Sequence, residues 1–234
     1  MSPSAAESFP SSAAVGCASE RSTLAIIARD TPERSASAFA DRPSASRAAR
    51  TVSAIETVRS TDTIVNSIAT IGDMDVRTAT EDDAAACAAI YAPYVTDSAV
   101  SFELEPPDTE EMAHRIAAAH AWLVLEDGGS VVGYAYAGTF HPRAAYRFAC
   151  ETSVYLRQGF VRRGGGRALY AVLLPLLREQ GFTSAIAGMT LPNDGSVGLH
   201  RALGFELVGT YRRVGFKFDT WHDVAWTQLM LDAG

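Results

Sequence analysis

Lysine is almost missing from this chain. Lys217 is the only one among 234 residues, and 20 basic against 27 acidic side chains leave a formal net charge of −7. Phosphate backbones are gripped by clustered Lys and Arg, so this balance argues against a nucleic-acid binder. Long apolar runs are absent too: no stretch approaches the roughly 18 residues that span a bilayer. Cysteines are few. Cys17, Cys87 and Cys150 form no close pair, which fits neither a disulfide framework nor a metal cluster. Read as buried structural thiols, they point to a reducing, cytoplasmic compartment. What the chain does have is 47% apolar residues, enough for a full hydrophobic core in at least part of its length.

Two segments differ in character. Residues 1–73 are rich in Ala, Ser, Thr and Arg and poor in large apolar groups. Such a stretch cannot offset its ordering entropy and is expected to be disordered, with a transient helix or strand over Ile55–Ile71. Glu7, Glu20, Asp30 and Glu33 do not fit an acid-poor transit peptide. An over-extended reading frame, with Met74 as the natural start, is the simpler expectation.

From residue 74 the pattern becomes regular. Val76–Ala79 reads as a short strand. Thr80 and Asp83 read as a cap and acidic first turn for a helix over Glu81–Tyr94. Asp108 and Thr109 cap a second helix reaching His120. Strands Trp122–Glu126 and Val131–Gly138 flank an Asp127-Gly128-Gly129 hairpin turn. A strand over Cys150–Leu156, a helix over Arg163–Gln180, a strand over Ser184–Thr190 and a helix over Ser196–Leu203 follow. Strands Phe205–Phe216 and His222–Leu231 close the chain. The order predicts one α/β domain over 74–234, with a mixed, mostly antiparallel twisted sheet flanked by helices.

The most informative stretch runs from Glu151 to Tyr170. A strand ends near Leu156, a basic loop follows, then Gly164, Gly165 and Gly166, then a helix. Glycines let backbone approach a ligand closely, and free N–H groups at a helix start bind phosphate. Arg162, Arg163 and Arg167 add charge for a pyrophosphate. Two phosphate motifs compete. A P-loop is excluded because no Gly-Lys-Ser/Thr follows, and a dinucleotide fingerprint lacks its acid about 20 residues on. An ordinary glycine-rich turn stays open on these residues alone.

This strand–turn–helix resembles motif A of the GNAT acetyltransferases, with Val161 where that motif has Gln or Arg. Asn193-x-x-Ser196-x-x-x-His200-x-x-x-Gly204-Phe205 is similar to a second superfamily segment, with His200 replacing its tyrosine. With Leu191-Pro192-Asn193 and Lys217-x-x-x-Trp221-His222-Asp223-Val224, the resemblance narrows to the phosphinothricin and methionine sulfoximine N-acetyltransferase branch. It covers about Val76 to Leu231.

The resemblance implies transfer of acetyl from acetyl-CoA to the amine of a small amino-acid-like compound, with no metal. Val154, Tyr155 and Leu156 would pair with the pantetheine arm, freed by a bulge that splays their strand from its neighbour. Arg162 to Arg167 would hold the pyrophosphate, Asn193 the pantetheine amides, and Ser196 would assist. Glu151 is the expected base, on an apolar strand that should raise its pKa. His200 is the expected proton donor or relay. The His141–Tyr146 loop, with Arg143 as a carboxylate clamp, and Phe102 on the opposite side would surround the substrate, together with Thr152 and Ser153. Tyr211, Trp221, His222 and Trp226 read as core or dimer-contact groups, and the branch implies a homodimer. Two alternatives remain: an acetyltransferase for another amine, such as an aminoglycoside, polyamine or protein N-terminus, and a non-catalytic coenzyme A sensor.

Overall fold

The computed structural model describes residues 69–160 and 162–231. The expectations for residues 1–68 and for Val161 lie outside the described residues. Eight strands form one sheet in the order β1-β2-β3-β4-β5-β6-β8-β7. They are β1 (Ala69–Ile71), β2 (Met74–Thr78), β3 (Ala121–Asp127), β4 (Ser130–Thr139), β5 (Ala149–Leu156), β6 (Ser184–Leu191), β7 (Glu206–Lys217) and β8 (Thr220–Met230). Helices α1 (Ala84–Thr96) and α2 (Thr109–Ala118) cover one face of the sheet. Helix α3 (Gly165–Glu179) covers the other, and α4 (Asp194–Ala202) follows β6. All pairings are antiparallel except β5 with β6.

The two faces are encoded by alternation. In β4, Tyr134 and Tyr136 point to the α1–α2 side, where both stack on Trp122, while Ala135 and Ala137 face α3. Small residues on that side let α3 settle close to the sheet. Leu169, Leu173 and Leu177 recur every four residues along its inner stripe and are fully buried. Each contributes about 1.5–3 kcal/mol through burial. On the other face, Met112 and Ile116 of α2 pack with Ile90, Tyr91 and Val95 of α1. Asp108 caps α2 by accepting from Glu111 N–H at 2.8 Å.

Three differences from the sequence expectation have physical reasons. The sheet starts at Ala69, ahead of Met74, because Ala69 to Ile71 pair with Val76 to Met74. The first turn after Thr80 is a 3₁₀ turn, Glu81–Asp83, and the α-helix begins at Ala84. There the Asp83 carboxylate turns back to accept from Thr80 N–H and to bind Arg77. The third difference is a correction: the bulge expected on β5 lies on β4. Leu125 pairs with Gly133 and Glu126 with Val131, which leaves Val132 as the extra residue. β5 keeps unbroken register with β4 yet pairs with β6 only from Ala149 to Glu151. Past Glu151 the two parallel strands part.

Candidate active site

The gap where β5 and β6 part opens into a cleft of about 820 Å³. Thr152 to Gln158 line one side, Gly188 to Thr190 of β6 another, and the starts of α3 and α4 close its end. Val154, Tyr155 and Leu156, the expected pantetheine-binding residues, lie on this wall. Tyr94 of α1 also reaches it, its hydroxyl donating to the Leu156 carbonyl at 2.6 Å.

The diphosphate end is built by the glycine turn. Gly164 caps α3 with φ +84°, a left-handed conformation that strains any residue bearing a β-carbon. The first internal bond of the helix runs from Ala168 N–H to the Gly164 carbonyl. The amides of Gly165, Gly166 and Arg167 therefore have no intrahelical acceptor and form the positive end of the helix dipole. Gly165 and Gly166 are buried, and a β-carbon at either would stand 2.8 Å from Leu125 or Leu199. Close packing thus accounts for two of the three glycines and backbone geometry for the third. Arg162 and Arg167 line the cleft. Arg163 turns away, bridging to Asp127 at 2.8 Å and stacking over Phe160. An anion held by helix amides and two arginines fits this end, and a long flexible arm fits the gap.

Asn193 caps α4, its Oδ1 accepting from Ser196 N–H at 3.1 Å, and both residues line the cleft. His200 lies one turn further on, 2% exposed. Its Nδ1 is 2.8 Å from the Ser196 carbonyl and its Nε2 is 3.0 Å from the Tyr170 hydroxyl. Burial holds its pKa below the ordinary imidazole value.

Glu151 occupies the last paired position before the strands part, opposite Ile186 of β6 and Gly138 of β4. Alternation along β5 sends Glu151, Ser153 and Tyr155 to the α1–α2 face, while Thr152 goes to the α3 face beside Tyr170. Glu151 is half-buried, and burial raises its carboxyl above the ordinary range. It is not itself on the cleft wall; Ser153, two residues along the same face, is. The cleft and the carboxylate thus meet across the strand edge.

The remaining expected substrate residues are dispersed around that end. His141, Arg143 and Tyr146 lie on the exposed loop joining β4 to β5, beyond the Thr139–Cys150 pair. His141 and Tyr146 pack ring on ring at 4.7 Å, and His141 Nδ1 accepts from Arg143 N–H. Phe102 stands across the sheet, 38% exposed, against Gly215 and 6.1 Å from the His222 ring. Thr152 is 2% exposed and committed to internal hydrogen bonds. Sequence reasoning missed the tyrosine cage of Tyr91, Tyr94, Tyr134, Tyr136 and Tyr155, whose rings gather on the Glu151 face. The signal was present: Tyr91/Tyr94 at helical spacing and Tyr134/Tyr136 at strand spacing each project to one side.

A family profile described as an acetyltransferase (GNAT) domain matches residues 76–226. The phosphinothricin N-acetyltransferase of Streptomyces viridochromogenes is 41% identical over 158 residues, covering 66% of this chain and 86% of that protein. An L-methionine sulfoximine/L-methionine sulfone acetyltransferase of Salmonella typhimurium is 32% identical over 163 residues, covering 68% and 95%. Among solved structures, a phosphinothricin acetyltransferase from Sinorhizobium meliloti in complex with acetyl-CoA superposes with a TM-score of 0.67. It is 36% identical and covers 69% of this chain and 90% of that one. The chain belongs to the GNAT acetyltransferase family and is an acetyl-CoA-dependent N-acetyltransferase.

Proposed function

We propose that the protein acetylates the α-amine of a small free amino acid of the phosphinothricin, methionine sulfoximine or methionine sulfone type, and so inactivates it. The observation that carries this reading is the raised carboxyl of Glu151 at the point where β5 and β6 part. Burial that raises the carboxyl makes its carboxylate a stronger base for the proton of an ammonium group. Bound acetyl-CoA supplies the activated acetyl thioester. The chain's part is to hold and to orient. Amides of Gly165, Gly166 and Arg167 with the Arg162 and Arg167 side chains fix the diphosphate, and Asn193 and the β5 wall from Val154 to Leu156 align the arm. Arg143, on the loop at the Glu151 end, clamps the substrate carboxylate, with Phe102, His141, Tyr146 and Ser153 around it. Burial of the Glu151 end by the tyrosine cage excludes water from the amine.

Thiol release with a panel of amino acids, aminoglycosides and polyamines tests the reading. We expect turnover with amino acids of the stated type and loss of about 10²-fold or more in Glu151→Gln. Turnover confined to another amine class, or none with any free amino acid, removes the substrate assignment.

Two further parts of the reading concern the whole molecule. The catalytic unit, which with β1 begins at Ala69, works as a homodimer through the outer face of β7 and the hairpin it forms with β8. There Val208, Tyr211, Val214, Phe216, Phe218 and Trp221 are all exposed, an apolar surface that a second copy would cover. The free thiols Cys87 and Cys150, both buried, suit a reducing cytoplasm. Light scattering at twice the monomer mass, reduced to the monomer in Val214→Asp, is the expected result.

A further inference from the structure

Past Glu151 the edge of β5 is open, and the ladder tells which of its main-chain groups are free. The N–H and C=O of one residue point to the same side of an antiparallel strand, and the side alternates from residue to residue. The Phe148 carbonyl accepts from Thr183 N–H at 2.9 Å, on the β6 side, while Arg157 N–H donates to the Val132 carbonyl at 2.8 Å, on the β4 side. The register with β4 is unbroken between them, so even-numbered residues of β5 face β6 and odd-numbered ones face β4. Pairing with β6 ends at Glu151. Val154 and Leu156 therefore turn their N–H and C=O groups into the gap, where they have no strand partner, and both residues line the cleft.

One of these four groups is already taken. The Tyr94 hydroxyl of α1 donates to the Leu156 carbonyl at 2.6 Å. Tyr94 is itself held from both ends. Its own carbonyl accepts from Ser98 Oγ at 3.0 Å and from Ser101 N–H at 3.4 Å, and its ring packs edge-on against Tyr155 with 5.2 Å between centroids. Burial pushes the phenol up, so the hydroxyl keeps the proton that it donates. A helix thus fastens the end of a strand that has lost one neighbour.

We propose that Tyr94 is a positioning residue for the coenzyme A arm. By occupying the Leu156 carbonyl it fixes the free end of β5 and leaves Val154 N–H, Val154 C=O and Leu156 N–H as the groups that the amides of the arm meet. An edge set in advance has less to order when the arm binds. The diphosphate is held elsewhere, by the α3 amides and the arginines, so Tyr94 acts on the arm alone. The inference deepens the coenzyme-holding part of the proposed function and rests on it for the identity of the ligand.

Calorimetric titration of the full-length protein with coenzyme A, and separately with ADP, tests this without an amine substrate. ADP carries the diphosphate but not the arm. Tyr94→Phe keeps the ring and removes the hydroxyl. It should bind coenzyme A roughly tenfold more weakly, the scale of one buried hydrogen bond, and ADP within about twofold of wild type. Equal weakening toward both ligands means a loosened domain rather than a misplaced strand edge, and it overturns the proposal. Wild-type affinity for coenzyme A overturns it too. Should Tyr94→Phe not fold, hydrogen exchange on the wild-type protein decides. The Val154 and Leu156 amides should exchange freely in the protein alone and become protected with coenzyme A, while the Tyr155 amide, turned to β4, is protected in both states. Val154 and Leu156 amides that are protected before coenzyme A is added, or unprotected after it, overturn the assignment of the edge. Failure of every amine in the activity panel would sink the substrate assignment and leave these results standing, whereas no uptake of coenzyme A by the wild type removes the coenzyme reading and this proposal with it.

Discussion

The Nζ of Lys217 lies 2.6 Å from the carbonyl oxygen of Val95, the last buried residue of α1. It also donates to the carbonyls of Ser101 and Glu103 at 2.7 and 2.8 Å, so all three ammonium protons are spent on backbone. The chain's single lysine, 5% exposed, thus pins the α1–α2 connection to the end of β7. Replacing it by Met leaves three carbonyls without that donor while keeping the volume. We predict a loss of about 3 kcal/mol in urea unfolding, because a buried charged donor is removed without its acceptors. A loss below about 1 kcal/mol would mean that water takes over those carbonyls.

The same connection carries Phe102, whose ring rests on Gly215. A β-carbon at Gly215 would stand 2.1 Å from the ring's Cζ. The clash falls on the far end of a side chain that is 38% exposed, so the ring can swing aside. Gly215→Ala is therefore expected to change stability by less than about 1 kcal/mol. It should raise KM for the amine several-fold while leaving KM for acetyl-CoA unchanged. Gly209→Ala, where a β-carbon meets nothing within 4 Å, is the control. Equal effects on both KM values would show that Phe102 does not serve the acceptor side.

The glycine turn separates strain from packing. At Gly164 a β-carbon has open space but the φ of +84° strains it, so Gly164→Ala should cost about 1–3 kcal/mol and tilt the first amides of α3. At Gly165 the φ is not the obstacle; Leu125, Leu156 and Phe160 lie within 3.2 Å of the added carbon. Gly165→Ala should cost about 1–3 kcal/mol through overpacking. Calorimetry with coenzyme A distinguishes them from an ordinary loop: both should weaken binding, whereas Gly128→Ala in the β3–β4 turn should not.

Much of the fold was legible because its elements are long and periodic. The leucine stripe of α3, the Tyr/Ala alternation of β4 and the two long final strands each state their face in the sequence. β1 was not legible: Ala69-Thr70-Ile71 is too short for a period and sits in a weakly apolar segment. Glu151 and the glycine turn could be found from local context. The Thr152–Tyr170–His200 chain could not, since it joins residues 18 and 30 positions apart through side-chain geometry that spacing does not encode. Arg163 was misplaced for a related reason: a basic loop residue looks like any other until Asp127 is seen beside it.

Glu151 and His200 should leave opposite marks on pH dependence. Burial raises the Glu151 carboxyl in the folded protein above its unfolded value near 4.5. Between that value and the native one the folded state holds more proton than the unfolded chain, so stability falls as pH rises through the window. His200 is depressed below about 6.5, so there the unfolded chain holds more proton, and stability rises with pH up to that value and then levels. Urea unfolding from pH 4.5 to 7.5 should show Glu151→Gln losing the falling contribution and His200→Gln losing the rising one. Activity adds a sharper test. kcat/KM should fall on the acid side as Glu151 takes its proton, and Glu151→Gln should lack that limb. His200→Gln should keep the limb unmoved, since both ring nitrogens are engaged by Ser196 and Tyr170 rather than by the amine. If His200→Gln abolishes the acid limb instead, the proton is handled at position 200 and the assignment of the base to Glu151 is lost.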